Sequence, residues 1–188
     1  NSILVMDTAT RRGLSDSVYN ERREECEAAA QFFGVPALRD VSLASLRARA
    51  EAVKDELGHA IFRRARHVVT ESARTLLVAK ALEQGDVREM GHLMDASHAS
   101  LRDDYQVSIA ELDAMAACAI QEDACYGARM TGAGFGGCAI ALVQADAAPA
   151  FSAQVATCYQ EATDMTPSIL ICNAAQGAEV VFGSRSVR

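Results

Sequence analysis

The sequence predicts an α+β domain: a small antiparallel sheet covered by helices. Three observations carry this. An apolar strand, Ile3-Leu4-Val5-Met6, opens the chain. A long block with three-and-four apolar spacing follows, which is the period of an α-helix. At Tyr126 the character changes to a strand, a glycine-rich loop, a second strand, a helix and two further short apolar runs. Strands separated by a block of helices, then more strands, make an α+β pattern.

From about Asp16 the helical stripe is Cys26, Ala29, Ala30 and Phe33, and Gly34 with Pro36 ends it. Ser42 to about Glu56 predicts a weaker helix capped by Ser42. His59 to Glu83 predicts the strongest one, with Ile61, Ala65, Val68, Val69, Ser72, Leu76, Ala79 and Leu82 as its buried face. Gly85-Asp86 supplies a stop and a new cap in two residues. Met90, Leu93, Met94, Ser97 and Leu101 stripe the next helix. Ser108 and Glu111 have capping-box spacing ahead of Leu112, Met115, Ala116 and Ala119. Tyr126–Met130 and Cys138–Val143 read as strands, Phe151, Val155, Cys158 and Ala162 as a helix. Ser168–Asn173 and Glu179–Phe182 read as the last two strands. The chain holds no internal repeat, low-complexity stretch or linker.

Of the 188 residues, 50% are apolar and 23% charged, which suits a packed core and excludes intrinsic disorder. The longest apolar runs fall far short of the roughly 20 residues of a membrane span, and the first residues lack the pattern of a secretory signal. A net charge of −7 makes a poor non-specific binder of nucleic acid. The six cysteines lack paired metal-ligand spacing and read as reduced, buried thiols of a cytoplasmic protein, with no metal implied. A chain that opens directly on a core strand reads as truncated.

Chemistry concentrates at Thr131, Gly132, Ala133, Gly134, Phe135, Gly136 and Gly137. With so few Cβ atoms, successive N–H groups can point into one concavity and cradle an anion; a tight connection between two strands is the plainer account. A strand rather than a helix follows, so the loop is not a dinucleotide fingerprint, and no Gly-Lys-Ser/Thr follows, so it is not a Walker loop. Arg63, Arg64, Arg66 and His67, with Glu71 four residues on, read as a solvated face with an ion pair. Asp103 and Asp104 read as a turn held by Asx bonds. His98 packs near the sheet or another domain.

The stretch from Tyr126 to Cys138, Tyr-Gly-Ala-Arg-Met-Thr-Gly-Ala-Gly-Phe-Gly-Gly-Cys, resembles the third signature motif of galactokinases in the GHMP small-molecule kinase superfamily. Ser17–Glu27, Arg63–Glu71 and Ser97–Ser108, with Glu111-Leu112-Asp113 behind, agree in order, so the similarity spans nearly the whole chain. Ala110 stands where the family more often has proline, and Ala133 where it often has glycine. The resemblance implies a ferredoxin-like sheet with additional helices, the GHMP kinase C-terminal domain, occupying residues 1–188.

It further implies a kinase that moves the γ-phosphoryl of ATP to the anomeric hydroxyl of galactose. Tyr19 falls where the family has a sugar-binding tyrosine, and Thr131 to Gly137 where it has a loop near the phosphates. The family's first and second motifs and its catalytic aspartate have no counterpart here. Catalytic residues and Mg²⁺ ligands are therefore expected upstream, in an N-terminal domain that this chain lacks and would partner. The chain alone is expected to be inactive. A sister sugar-1-kinase such as an N-acetylgalactosamine kinase, a non-catalytic sugar and ATP sensor, and a free-standing ligand-binding module are the alternatives. No nucleic acid or membrane partner is implied.

Overall fold

The computed structural model describes residues 1–11, 16–175 and 177. Its sheet has four strands: β1 (Ser2–Asp7), β2 (Cys125–Met130), β3 (Cys138–Val143) and β4 (Ser168–Cys172). Their spatial order is β2-β3-β1-β4, and every neighbouring pair is antiparallel. The helices are α1 (Asp16–Phe33), α2 (Leu43–Ala48), α3 (Ala50–Gln84), α4 (Val87–Ser100), α5 (Ala110–Ile120) and α6 (Ala148–Thr163). The β-α-β-β-α-β order around this sheet is the ferredoxin-like arrangement that the resemblance implies, with helices α1 to α5 between its first two strands. The proposed strand Glu179–Phe182 lies outside the described residues.

Strand alternation assigns the sheet its faces. Leu4 and Met6 pair with Ala141 and Ala139. All four are buried against Met115, Cys118 and Ala119 of α5 and Phe151, Val155 and Tyr159 of α6. Small alanines on the strands let the bulky α6 side chains reach the sheet, each burying apolar surface that contributes about 2–3 kcal/mol. Tyr159 stays satisfied in this apolar layer by donating its hydroxyl to the Thr8 carbonyl at 2.8 Å. A second cluster joins α1 to α3 through Ala29, Ala30, Ala65 and Val69, with Leu38, Val41 and Leu46 beside them.

Local chemistry explains most boundaries. Gly34 and Gly85 take left-handed φ values of 70° and 69° and end α1 and α3. Asp86 Oδ1 then accepts the Glu89 N–H at 3.0 Å and starts α4. Ser42 caps α2 by accepting from Ser45 N, as expected. The predicted helix from Ser42 to Glu56 is interrupted at Arg49, and its second part joins α3 across Gly58, whose φ of 89° and ψ of 163° kink the rod.

Other expectations are corrected. Ser108 does not cap α5; Ile109 holds that position, and Ser108 Oγ instead donates to Asp113 Oδ1 at 2.6 Å. Leu76 and Leu82 are 74% and 63% exposed, and Ala79 is exposed as well. Helical spacing identifies a stripe but not whether anything covers it. The cysteines are not all thiols: Cys118 and Cys158 form a disulfide, because α5 and α6 lie side by side on one sheet face. The supposed solvated face at Arg63–His67 is partly interior, with Arg64 and His67 only 3% and 6% exposed.

That interior face is a charge network. Arg64 Nε bonds Glu25 of α1 at 2.8 Å and Nη2 bonds Gln106 at 2.8 Å, while Nη1 bonds the Asp104 carbonyl. Arg66 Nε bonds Asp104 Oδ2 at 2.9 Å. Asp104 is thus an ion-pair partner in a π-helical turn, Leu101–Tyr105, rather than an Asx turn residue. Glu71 pairs with Arg74 and Arg129, not His67. Burying Arg64 is tolerable because all three of its guanidinium nitrogens find partners.

Candidate functional site

The glycine loop leaves β2 at Met130 and enters β3 at Cys138, and Thr131 N–H closes its neck on the Cys138 carbonyl at 2.9 Å. Two distant segments pin it. Phe135 N–H donates to the Val107 carbonyl at 2.8 Å, just beyond the π-helical turn that Arg64 holds. Gly137 N–H donates to the Thr10 carbonyl at 2.9 Å, and the Gly137 carbonyl accepts from Thr8 N–H at 3.0 Å and Thr8 Oγ1 at 2.7 Å. The loop therefore sits where β1 ends and the chain heads toward α1.

Gly134 is buried, with φ +83°, and a Cβ there would stand 2.2 Å from the Val107 carbonyl oxygen. Glycine at this position is dictated by packing inside the protein. Gly132 and Ala133 are exposed at the tip. Among the described residues, the N–H groups of Gly132, Ala133, Gly134 and Gly136 have no hydrogen-bond partner. Backbone strain gathers around the same place. Of the four non-glycine residues with positive φ among the described residues, Phe135 (60°) lies in the loop and Ala9 (61°) and Gln106 (56°) adjoin the residues that pin it.

Such a tip offers fixed N–H dipoles and no ionisable side chain, so it can hold an anion but cannot move a proton. That donor set fits a phosphate chain. The described residues contain no cluster of three or more acidic, histidine or cysteine side chains able to hold a metal ion.

Tyr19 lies on α1 and is 53% exposed. It lines a cavity of about 420 Å³ with Tyr105, Cys26, Leu38, Arg23 and Arg39. Tyr105 also packs against the cluster of Leu101, Val107, Leu112 and Met130, as Phe135 of the loop does. One side chain thus links the cavity wall to the floor of the glycine loop. His67 stacks on Tyr105 with ring centroids 4.5 Å apart, and its Nδ1 lies 2.9 Å from Ser100 Oγ. Burial pushes the His67 imidazole down to about 4, so at neutral pH the ring stacked on Tyr105 is uncharged.

His98 is a residue whose place the sequence left open. It packs on the sheet, with Nδ1 accepting the Met130 N–H at 3.2 Å. The Gly91, Asp95, His98 spacing, one helical face, is the sequence signal that could have revealed it.

Residues 78–161 match the family described as GHMP kinases C terminal. Over those residues the chain is similar to a GHMP kinase C-terminal domain. A galactokinase of Roseiflexus sp. (strain RS-1) is 44% identical over 181 residues, covering 94% of this chain and 45% of that protein, in its C-terminal part. The crystal structure of Lactococcus lactis galactokinase complexed with galactose superposes with a TM-score of 0.86 at 39% identity, covering 94% of this chain and 46% of that one. The L. major mevalonate kinase in complex with R-mevalonate shares the fold, with a TM-score of 0.53 at 21% identity over 93% of this chain and 44% of that one. The chain thus spans about half the length of the relatives it matches.

Proposed function

We propose that this domain is the C-terminal half of a galactokinase, transferring the γ-phosphoryl of ATP to the anomeric hydroxyl of galactose. The observation that carries this is the 44% identity, sustained over 94% of the chain, to the C-terminal part of a curated galactokinase. The geometry agrees with it. A rigidly braced glycine tip presents unbonded N–H groups suited to phosphate oxygens. A separate tyrosine-walled cavity is lined by Tyr19, whose hydroxyl is assigned to the sugar.

In this reading residues 1–188 form one domain, and the Thr131–Gly137 backbone orients the phosphates. ATP supplies the phosphoryl group, and Mg²⁺ bound in the N-terminal half neutralises its charge. The chain's own contribution is placement and electrostatics, so by itself it does not turn over substrate. The site of action is the cytoplasm, where ATP is available.

The test is ADP release with ATP and a panel of hexoses, using the chain joined to a galactokinase N-terminal half. Turnover that depends on galactose supports the assignment, and equal turnover of N-acetylgalactosamine moves it to a sister sugar-1-kinase. Binding of sugar and ATP without turnover overturns it in favour of a sensor.

A further inference from the structure

β2 lies at the sheet edge with β3 as its sheet neighbour, so its outward N–H groups need acceptors from elsewhere. Helix α4 runs along that edge and supplies them. At Gly91 the two backbones touch: a Cβ there would lie 1.8 Å from the Tyr126 carbonyl oxygen. One turn later Asp95 Oδ1 accepts the Ala128 N–H at 2.8 Å, and a turn after that His98 Nδ1 accepts the Met130 N–H at 3.2 Å. Gly91, Asp95 and His98 share one helical face, and Ala128 and Met130 point to one strand edge. Met130 is the last residue of β2, and the glycine loop springs from it.

An imidazole nitrogen accepts a hydrogen bond only while it carries no proton, so the Met130 bond selects the neutral ring with its hydrogen on Nε2. That Nε2 is buried 3.3 Å from Asp113 Oδ1, out of hydrogen-bond alignment. Asp113 Oδ1 already accepts from Ser108. Burial favours the neutral ring, as do the positive charges of Arg102 and Arg129; the carboxylates of Asp113 on α5 and Asp95 on α4 oppose it. Asp103, in the π-helical turn, also feels the charge of this ring.

The geometry points to His98 as a positioning residue of the glycine loop: its neutral ring holds the Met130 amide and so sets where the Thr131–Gly137 backbone stands. Protonation at Nδ1 would set an N–H against the Met130 N–H and release the strand end. The kinetic consequence rests on the phosphate-loop reading proposed above; the bond and its release do not.

The test compares the natural residue with His98→Asn, whose side-chain oxygen accepts without titrating, and His98→Leu, which cannot accept. Both are placed in the chain joined to a galactokinase N-terminal half. Hydrogen exchange at Met130 to Gly137, corrected for intrinsic rates, is followed between pH 8 and pH 5. The expected result is protection that declines with acid in the natural protein, stays level in His98→Asn, and in His98→Leu is level at about a tenth of the natural protein's value at pH 8, the scale of one hydrogen bond. In steady-state assays His98→Leu raises KM for ATP about tenfold while KM for galactose stays within about twofold, and His98→Asn restores it.

Met130 protection that is the same in all three proteins overturns the proposal, as does an acid decline retained by His98→Asn. If His98→Leu fails to fold, the His98→Asn profile decides alone. His98-dependent protection in a protein that phosphorylates no sugar upholds the positioning and overturns the kinase reading. Galactose turnover with indifference to His98 does the reverse.

Discussion

Replacing Gly134 with alanine tests whether this glycine is required by packing or by a ligand. The backbone φ of +83° is one that an L side chain adopts at a cost of about 1–2 kcal/mol. The new methyl would lie 2.2 Å from the Val107 carbonyl oxygen and 2.8 Å from Val107 Cβ, where ordinary contact is 3.4–4 Å. The loop must retreat, at about 1–3 kcal/mol for overpacking. That retreat breaks the Phe135–Val107 hydrogen bond, about 1 kcal/mol more. The loss for Gly134→Ala is then about 3–6 kcal/mol. Gly132→Ala is the control, because its φ is +81° but no atom lies within 4 Å of its Cβ. It keeps only the backbone cost, about 1–2 kcal/mol. Urea unfolding of both variants beside the natural chain, read as midpoints at constant slope, measures the difference. Equal losses would refute the packing argument. The Val107 contact predicts that the fold itself is hit, whatever the loop binds.

Three further outcomes are expected. His67 titrates at about 4 in the folded chain against 6.5 unfolded, so the unfolded state binds its proton first. Its share of stability is complete above about pH 6.5 and falls away as pH drops toward 4, by up to about 3 kcal/mol. Urea midpoints from pH 7.5 to 4.5 should decline less steeply for His67→Gln; parallel declines refute this. The Cys118–Cys158 bond spans 40 residues of chain, so reduction is expected to cost up to about 4 kcal/mol on the chain-entropy estimate. A melting temperature indifferent to dithiothreitol would show otherwise. Tyr19→Phe in the two-half protein should weaken galactose binding by roughly 1–2 kcal/mol, the worth of one hydrogen bond. Calorimetry giving an unchanged affinity would leave Tyr19 a packing residue.

Much of this domain was legible in one dimension. β1, β3 and α6 announce themselves because alternation and three-and-four spacing are local consequences of strand and helix geometry. The Gly85-Asp86 turn was readable for the same reason, since both residues act within one turn of themselves. The glycine loop stood out because four of its seven residues are glycine. What the pattern could not say was which glycine is needed for which purpose. Gly134 answers to Val107, 27 positions earlier, and Gly137 to Thr8 and Thr10 at the far end of the chain.

The misreadings share a cause. Arg64 and His67 looked like surface residues because charged and polar side chains usually are. Their burial depends on Glu25, Ser100, Asp104 and Gln106 arriving from other segments. Leu76 and Leu82 looked like core because apolar stripes usually find a cover. Cys118 and Cys158 carry no spacing signal, and only the side-by-side placement of α5 and α6 brings them together. The sequence by itself determined the elements, their order and the family resemblance, all of which follow from local conformational preference and motif. The tertiary structure alone decided which polar groups are buried with partners and how the loop is braced. Those outcomes depend on contacts between residues far apart in the chain, and such contacts leave no period behind.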